Sequence, residues 1–397
     1  MLPRKKLDIG WMDLGLGGVR CLFPPNRHAM QSRVEQGENT LAALSVRTGF
    51  DLLLQHLALP RGSEVLLSAI TIRDMVSIIE HHGLCPVPID IDPNTCALDL
   101  DHLRRAISPN TKIILVVHLF GSRMNMDNII AITQQHPLMV IEDCAQAFMA
   151  DGYRGHSRTD VTLFSFGSIK TATALGGALL VFRDQALCQA VRVLQSQLPL
   201  QSHRLYFGKI LKYAVLKLLS YSVTYTTFVA VCKLFRTSHD RLISQAVRGF
   251  AGGELIQKIR YQPSAALLAL LHRRLQRYRP VDLQARMRAA QQLAALLPDL
   301  PMPARHATHH THWVFPLQSP DPEQLVQHLL TQGFDATRGA SSMYAVPSST
   351  PLAAGQIMQQ MLYLPVDAGV SDRDVRKLAS AVLQHENARQ REARIEK

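Results

Sequence analysis

The stretch "LMVIEDCAQAF", residues 138–148, ends a short apolar run on an acid and passes at once into small and polar residues. A run of that length bounded by polar residues reads as a strand buried on both faces. Its neighbours repeat the pattern. "SEVLLSA" (63–69), "CPVPIDI" (85–91) and "KIILVV" (112–117) precede it, and "VTLFSF" (161–166) and "GGALLVF" (176–182) follow. Between the earlier runs lie segments of helical length and spacing: "FDLLLQHLAL" (50–59), "TIRDMVSIIEHHG" (71–83), "LDLDHLRRAI" (98–107) and "NIIAITQQH" (128–136). Thr71, with Asp74 three residues on, predicts a capping box at the start of the second. Buried strands alternating with amphipathic helices predict an α/β domain with a parallel sheet covered by helices.

Outside that block the texture changes. Residues 208–236, "GKILKYAVLKLLSYSVTYTTFVAVCKLFR", are apolar but studded with Lys209, Lys212, Lys217 and Lys233. The longest uncharged piece, 218–232, is shorter than the ~18 residues that a membrane-spanning helix needs. "SYSVTYT" within it alternates with period two, so helix and strand both remain open there. The segment reads as a packing insertion at about 199–260, or else as a surface that meets a membrane or a lipid-linked substrate. "PSAALLALLHRRLQRY" and "DLQARMRAAQQLAALL" predict long helices, and the Pro-rich 298–310 a linker. Beyond it, "HWVFPL" and "MLYLPV" predict strands, and "DPEQLVQHLLTQG" and "SDRDVRKLASAVLQHE" helices. The expected organisation is an N-terminal arm (1–39), a large α/β domain (40–260), and connecting helices with a smaller α+β domain (261–397).

The 397 residues carry 43 Lys and Arg against 31 Asp and Glu, a formal charge of +12. Such a balance favours anionic partners, phosphate groups among them. Runs such as "RRLQRYR" (273–279) read as solvated helix faces, and no zinc spacing or RNA-binding aromatic signature accompanies them. Six scattered cysteines without a CxxC pair predict reduced thiols and a cytoplasmic setting. The start "MLPRKKLDIGWMDLG" lacks the apolar run of a signal peptide.

Two positions carry the chemistry. Asp143 ends a predicted strand, and in parallel sheets ligands bind beyond the carboxyl ends of the strands. It suits a cationic ligand group or a helix N-cap. Lys170 lies in "FSFGSIKTATALGGALLV" (164–181), which contains no carboxylate. A desolvated lysine loses its proton easily and then attacks carbonyls, whereas a lysine on an exposed loop would do neither.

Together, "VIEDCAQAF" (140–148) and "YRGHSRTDVTLFSFGSIKTATALGGALLV" (153–181) resemble the signature of the DegT/StrS sugar-aminotransferase family, fold type I pyridoxal-phosphate (PLP) enzymes. The likeness extends upstream through "LPRGSEVLLSAIT" and "ISPNTKIILVVHLFG", and more weakly into the C-terminal third. It implies a mostly parallel seven-stranded sheet, a smaller C-terminal domain, a homodimer, and transfer of an amino group from glutamate to a keto group of a nucleotide-linked sugar. It also implies that Lys170 holds PLP as a Schiff base, Asp143 pairs with the pyridine nitrogen, Gln146 bonds the ring hydroxyl and Ser165 the phosphate. Thr48 and Gly49 would offer backbone N–H groups to that phosphate, with Arg47 beside them. Arg260 stands near the position from which the family reaches a neighbouring subunit's phosphate. Ile72 aligns with the usual ring-stacking aromatic, and "ALGG" (174–177) replaces the common "GEGG". His118 matches a family position and reads as structural. Family dehydratases carry histidine where Lys170 stands, so the lysine favours transamination. A non-catalytic regulatory relative, binding no cofactor, is the third reading.

Overall fold

The computed structural model describes residues 1–4, 6–247, 250, 254–339 and 342–395. Seven strands build the central sheet: β1 (Thr40–Ala43), β2 (Glu64–Ser68), β3 (Cys85–Ile89), β4 (Thr111–Val117), β5 (Met139–Asp143), β6 (Val161–Ser165) and β7 (Ala178–Phe182). Their spatial order is β1-β7-β6-β5-β4-β2-β3. Only β7 runs against its neighbours, pairing antiparallel with β1 and β6. The remaining pairs are parallel, as the alternation of strands and helices predicts. Burial explains the near-continuous apolar runs: Ile113, Ile114, Leu115 and Val116 are all fully buried because helices cover both faces.

Register sets the location of the site. Val117 lies opposite Asp143, Asp143 opposite Leu163, and Ser165 opposite Ala178. The carboxyl ends of β4, β5 and β6 therefore finish on one edge, with Asp143 in the middle.

One crossing is unusually tight. Helix Val46–Leu57 packs on β7 at Gly49, where any β-carbon would lie 2.5 Å from both Cδ atoms of Leu180. The other face of the sheet is covered by helices Trp11–Leu22, His203–Leu218 and Ala265–Gln276, whose Leu14, Ile210, Leu267 and Leu271 pack with Phe164 and Phe166. A third cluster joins helices Pro280–Leu296 and Asp372–Ile395 to the antiparallel pair Phe315–Gln318 and Met361–Leu364.

Three local expectations change. Thr71 is no cap: Ile70–Ile72 is a short strand paired with Met343–Ala345, and the helix begins at Arg73 with no side-chain capping bond. A partner some 270 residues away outcompetes the local motif. "SYSVTYT" resolves as the start of helix Ser222–Leu234, so its period-two pattern is incidental. The Pro-rich 298–310 is docked: Ala304 N–H donates to the Pro93 carbonyl (3.1 Å), and His309–His310 pairs with Ser122–Arg123. Four helices occupy the described part of 199–260, namely His203–Leu218, Ser222–Leu234, His239–Val247 and Leu255–Ile259. Residues 248, 249 and 251–253 of that segment lie outside the described residues. No single helix is long and apolar enough to cross a membrane among the described residues; helices His203–Leu218 and Ser222–Leu234 would reach that length only as a pair bent by 94°.

Candidate active site

After β6 the chain makes a compact knot before β7. Phe166 N–H donates to the Gly177 carbonyl (3.0 Å), while Ala174 and Gly176 both donate to the Phe166 carbonyl (3.1 Å each). Thr173 Oγ1 donates to the Gly167 carbonyl (2.6 Å) and accepts from Leu175 N–H (2.9 Å). Gly177, at φ +86°, has the left-handed backbone that lets the chain re-enter the sheet. Arg274 clamps the knot from outside through the Thr173 carbonyl (3.1 Å). The result is a rigid mount for one side chain, Lys170.

Lys170 opens into a cavity of about 910 Å³ at the carboxyl edge of the sheet. Burial pulls its pKa down to about 7, against a smaller upward pull from Asp143. Its amine lies 3.9 Å from the ring centroid of Trp313, whose Nε1–H donates to the Ile169 carbonyl (2.9 Å). Asp143 is buried and its pKa is raised by that burial. One of its oxygens accepts from Ala145 N–H (2.8 Å), and the other makes no hydrogen bond among the described residues. A buried carboxylate in that state is ready for a cationic group supplied by a ligand.

Gln146 shares the cavity. Its Oε1 accepts from Phe120 N–H (2.8 Å), which fixes the amide so that Nε2 is the donor left beside the Met343 sulfur (3.0 Å). Ser165 and Ile72 also line the wall. Five of the eight residues singled out in the sequence, Lys170, Asp143, Gln146, Ser165 and Ile72, therefore meet in one cavity.

Thr48, Gly49 and Arg260 do not line it. Helix Val46–Leu57 starts earlier than its apolar pattern suggests, with Ser45 as N-cap. Thr48 N–H is taken by Ser45 Oγ (3.1 Å) and Gly49 N–H by the Ser45 carbonyl (3.1 Å). The first-turn N–H groups left without intrahelical partners are those of Val46 and Arg47, and both residues line the cavity. Arg260 instead holds Asp51, through Nε (2.8 Å) and Nη2 (3.1 Å), alongside His82. His118 is structural: its Nδ1 accepts from Met124 N–H (3.2 Å), so Nε2 donates to Glu142 (2.9 Å).

Residues 35–218 match the model of the DegT/DnrJ/EryC1/StrS aminotransferase family. Over that span, a little under half of its length, the chain resembles this family. The match contains all seven sheet strands, Asp143 and Lys170. GDP-perosamine synthase from Caulobacter vibrioides is 34% identical over 163 residues, which are 40% of this chain and 44% of that relative's length. The chain thus aligns with less than half of that curated relative. Solved aminotransferase structures share the fold along nearly the whole chain. The aminotransferase TlmJ from Streptoalloteichus hindustanus has a TM-score of 0.70 at 18% identity, covering 98% of this chain and 100% of its own. The sugar aminotransferase CalS13 from Micromonospora echinospora has 0.67 at 19%, covering 96% and 99%. The fold is that of the PLP-dependent sugar aminotransferases, a mostly parallel seven-stranded sheet flanked by helices.

Reading the family's motifs in sequence left several cavity residues unseen. Trp313 stands 143 residues beyond Lys170 and no local pattern marks it. Ser45 was legible as an N-cap followed by an apolar helix. The helical segment after residue 199 also lends polar groups to the wall, among them Lys209 and Ser244, whose buried hydroxyl has no hydrogen-bond partner among the described residues.

The residues fit pyridoxal phosphate. A rigidly mounted amine with a lowered pKa, a buried carboxylate with an uncommitted oxygen, an oriented amide donor and an open helix start converge on one cavity. Those are the groups that its aldehyde, ring nitrogen, ring hydroxyl and phosphate require.

Proposed function

We propose that this chain is a PLP-dependent aminotransferase that places an amino group on a keto group of an activated, nucleotide-linked sugar, with glutamate as donor. The observation that carries the reading is the desolvated Lys170 amine in one cavity with the buried carboxylate of Asp143. Bound there, pyridoxal phosphate supplies a carbonyl for amines and a ring that withdraws electrons from the substrate carbon. Lys170, with a pKa near neutrality, can take a proton from that carbon and return one to it. Asp143 would hold the ring nitrogen in its protonated form. Gln146 Nε2 would donate to the ring hydroxyl, and Ile72 could cover the ring but not stack on it. Ser165 and the N–H groups of Val46 and Arg47 would hold the phosphate. For Thr48, Gly49 and Arg260 the assigned work is packing and helix anchoring.

The name of the Caulobacter relative denotes a GDP-linked sugar product, which supports a nucleotide-linked substrate. Arg47, Arg241 and Lys258 on the wall suit its phosphates. A dehydratase is the second reading, since the fold is shared with GDP-4-keto-6-deoxymannose-3-dehydratase at a TM-score of 0.69 and 14% identity. Lys170, where family dehydratases carry histidine, favours transamination.

The reading includes a homodimer and a cytoplasmic setting, the latter supported by six free cysteines. It keeps the division into an arm (1–39), a large domain (40–260) and a C-terminal part (261–397). Exposed Leu211, Val215, Val223, Leu234 and Phe235 beside lysines support membrane or lipid contact through 208–236; co-sedimentation with anionic vesicles tests it, and light scattering tests the dimer.

Titrating pyridoxal phosphate into the purified chain and recording visible absorbance, then adding glutamate, tests the activity. We expect a visible band that glutamate bleaches and that Lys170→Ala lacks. An unchanged band in Lys170→Ala sinks the assignment, and no binding at all favours the regulatory reading.

A further inference from the structure

Lys209 has no role in the arrangement above, and its surroundings are unusual for a lysine. It belongs to helix His203–Leu218 and lies on the same stripe as the buried Tyr206 and Tyr213, three residues after one and four before the other. Tyr206 fastens that stripe to the Lys170 knot by donating to the Ala174 carbonyl (2.6 Å). Lys209 is thereby pointed into the cavity, and it makes no hydrogen bond or ion pair among the described residues. Burial lowers its pKa to about 8, helped by two cations, Lys212 and Arg47. A half-buried, desolvated amine without an acid costs stability unless a ligand supplies the anion.

Its position says which ligand group. Lys209 Nζ lies 3.9 Å from the point where a β-carbon of Gly176 would be. The next residue, Gly177, donates its N–H to the Leu44 carbonyl (2.9 Å), which joins this corner to Ser45 and the open first turn at Val46 and Arg47. Arg47 is already engaged by Asp74 and stacked on Phe250 (5.4 Å), so it is a partly neutralised cation. Lys209 is the uncompensated one beside that turn.

We propose that Lys209 is a phosphate ligand of the cavity, supplied within the same chain by helix His203–Leu218 to the anion site at the start of helix Val46–Leu57. The proposal rests on the aminotransferase reading. A phosphate at that corner can come from the cofactor or from the diphosphate of a nucleotide-linked substrate, and both present anionic phosphate oxygens to the amine.

The test uses Lys209→Met, which keeps the stem, and Lys209→Arg, which keeps the charge. Binding of pyridoxal phosphate and of phosphate-free pyridoxal to the apo chain is followed by absorbance, and binding of GDP to the loaded chain by calorimetry. If the cofactor's phosphate is the partner, Lys209→Met weakens pyridoxal phosphate by about 10- to 100-fold, leaves pyridoxal unchanged, and Lys209→Arg restores most of the loss. If the substrate's phosphate is the partner, cofactor binding stays intact and GDP binding falls by a similar factor. Thermal melting of apo Lys209→Met is expected at or above the wild-type temperature, because the lost amine had no acid. Unchanged affinity for both phosphates, or equal losses for pyridoxal and its phosphate, overturns the proposal. A wild-type chain that binds no pyridoxal phosphate refutes the aminotransferase reading instead.

Discussion

Gly49→Ala separates two roles for one residue. Read in sequence, Gly49 offers its N–H to a phosphate; in the fold it lets helix Val46–Leu57 touch β7. The alanine β-carbon would lie 2.5 Å from Leu180 Cδ1 and Cδ2 and 2.9 Å from Cγ, where carbon atoms normally keep about 3.5–4.0 Å. Leu180 is fully buried and cannot swing into solvent, so helix or strand has to move. Overpacking of this kind costs about 1–3 kcal/mol, and alanine's better helix propensity returns up to about 1 kcal/mol. A net loss of about 1–2 kcal/mol is expected, read as a lower urea midpoint of the apo chain with an unchanged slope. Leu180→Ala alone should cost about 2–5 kcal/mol. Combined with Gly49→Ala it removes the collision, so the double variant should be at least about 1 kcal/mol more stable than the two losses added together. Strict additivity, or a Gly49→Ala chain as stable as wild type, refutes the close-packing argument. Wild-type stability with lost cofactor affinity would return Gly49 to the phosphate.

Other outcomes follow from charge. Capture of pyridoxal by the apo chain should rise with pH, be half-maximal near Lys170's pKa of about 7, and level off above it, because only the neutral amine attacks; a midpoint near the ordinary 10.5 would mean the amine is solvated. Burial alone would raise the Glu142 pKa, but His118, His156 N–H and Tyr153 hold it down to about 2. It therefore contributes stability that is complete above the ordinary carboxylate value of 4.5 and lost as pH falls toward 2. The fall of urea midpoint with acid should be shallower in Glu142→Gln, on a lower baseline, and parallel curves would argue against this source. Arg260→Ala should leave pyridoxal phosphate affinity unchanged while costing on the order of 1–3 kcal/mol, since Asp51 is left buried with His82 alone; a tenfold loss of cofactor would restore Arg260 to the phosphate.

The α/β core was readable because its signals are local: the buried strands announce themselves by apolar runs, Asp143 ends one of them, and Lys170 lies in the short connection between two others. Features decided by distant partners were not. Thr71 has a fair capping motif, yet Met343–Ala345 claims its backbone for a strand. The helix start was read late because the apolar pattern begins at Phe50, whereas the helix runs from Val46 behind the Ser45 cap. Arg260 found a buried acid, Asp51, that lies 209 residues earlier in the chain. Lys209 and Trp313 reach the cavity through packing of helices and loops that carry no motif at all.

The chain has only two tryptophans, and the fold separates them sharply. Trp11 is 45% exposed on the first helix, while Trp313 is 3% exposed, with its ring face against the Lys170 amine. The indole is therefore an optical probe built into the cavity wall. In a Trp11→Phe background all indole emission comes from Trp313 and reports on the space beside Lys170. Quenching by an absorbing ring bound there, or a change in emission as the amine gains or loses its charge, can be followed without labels, substrate or turnover.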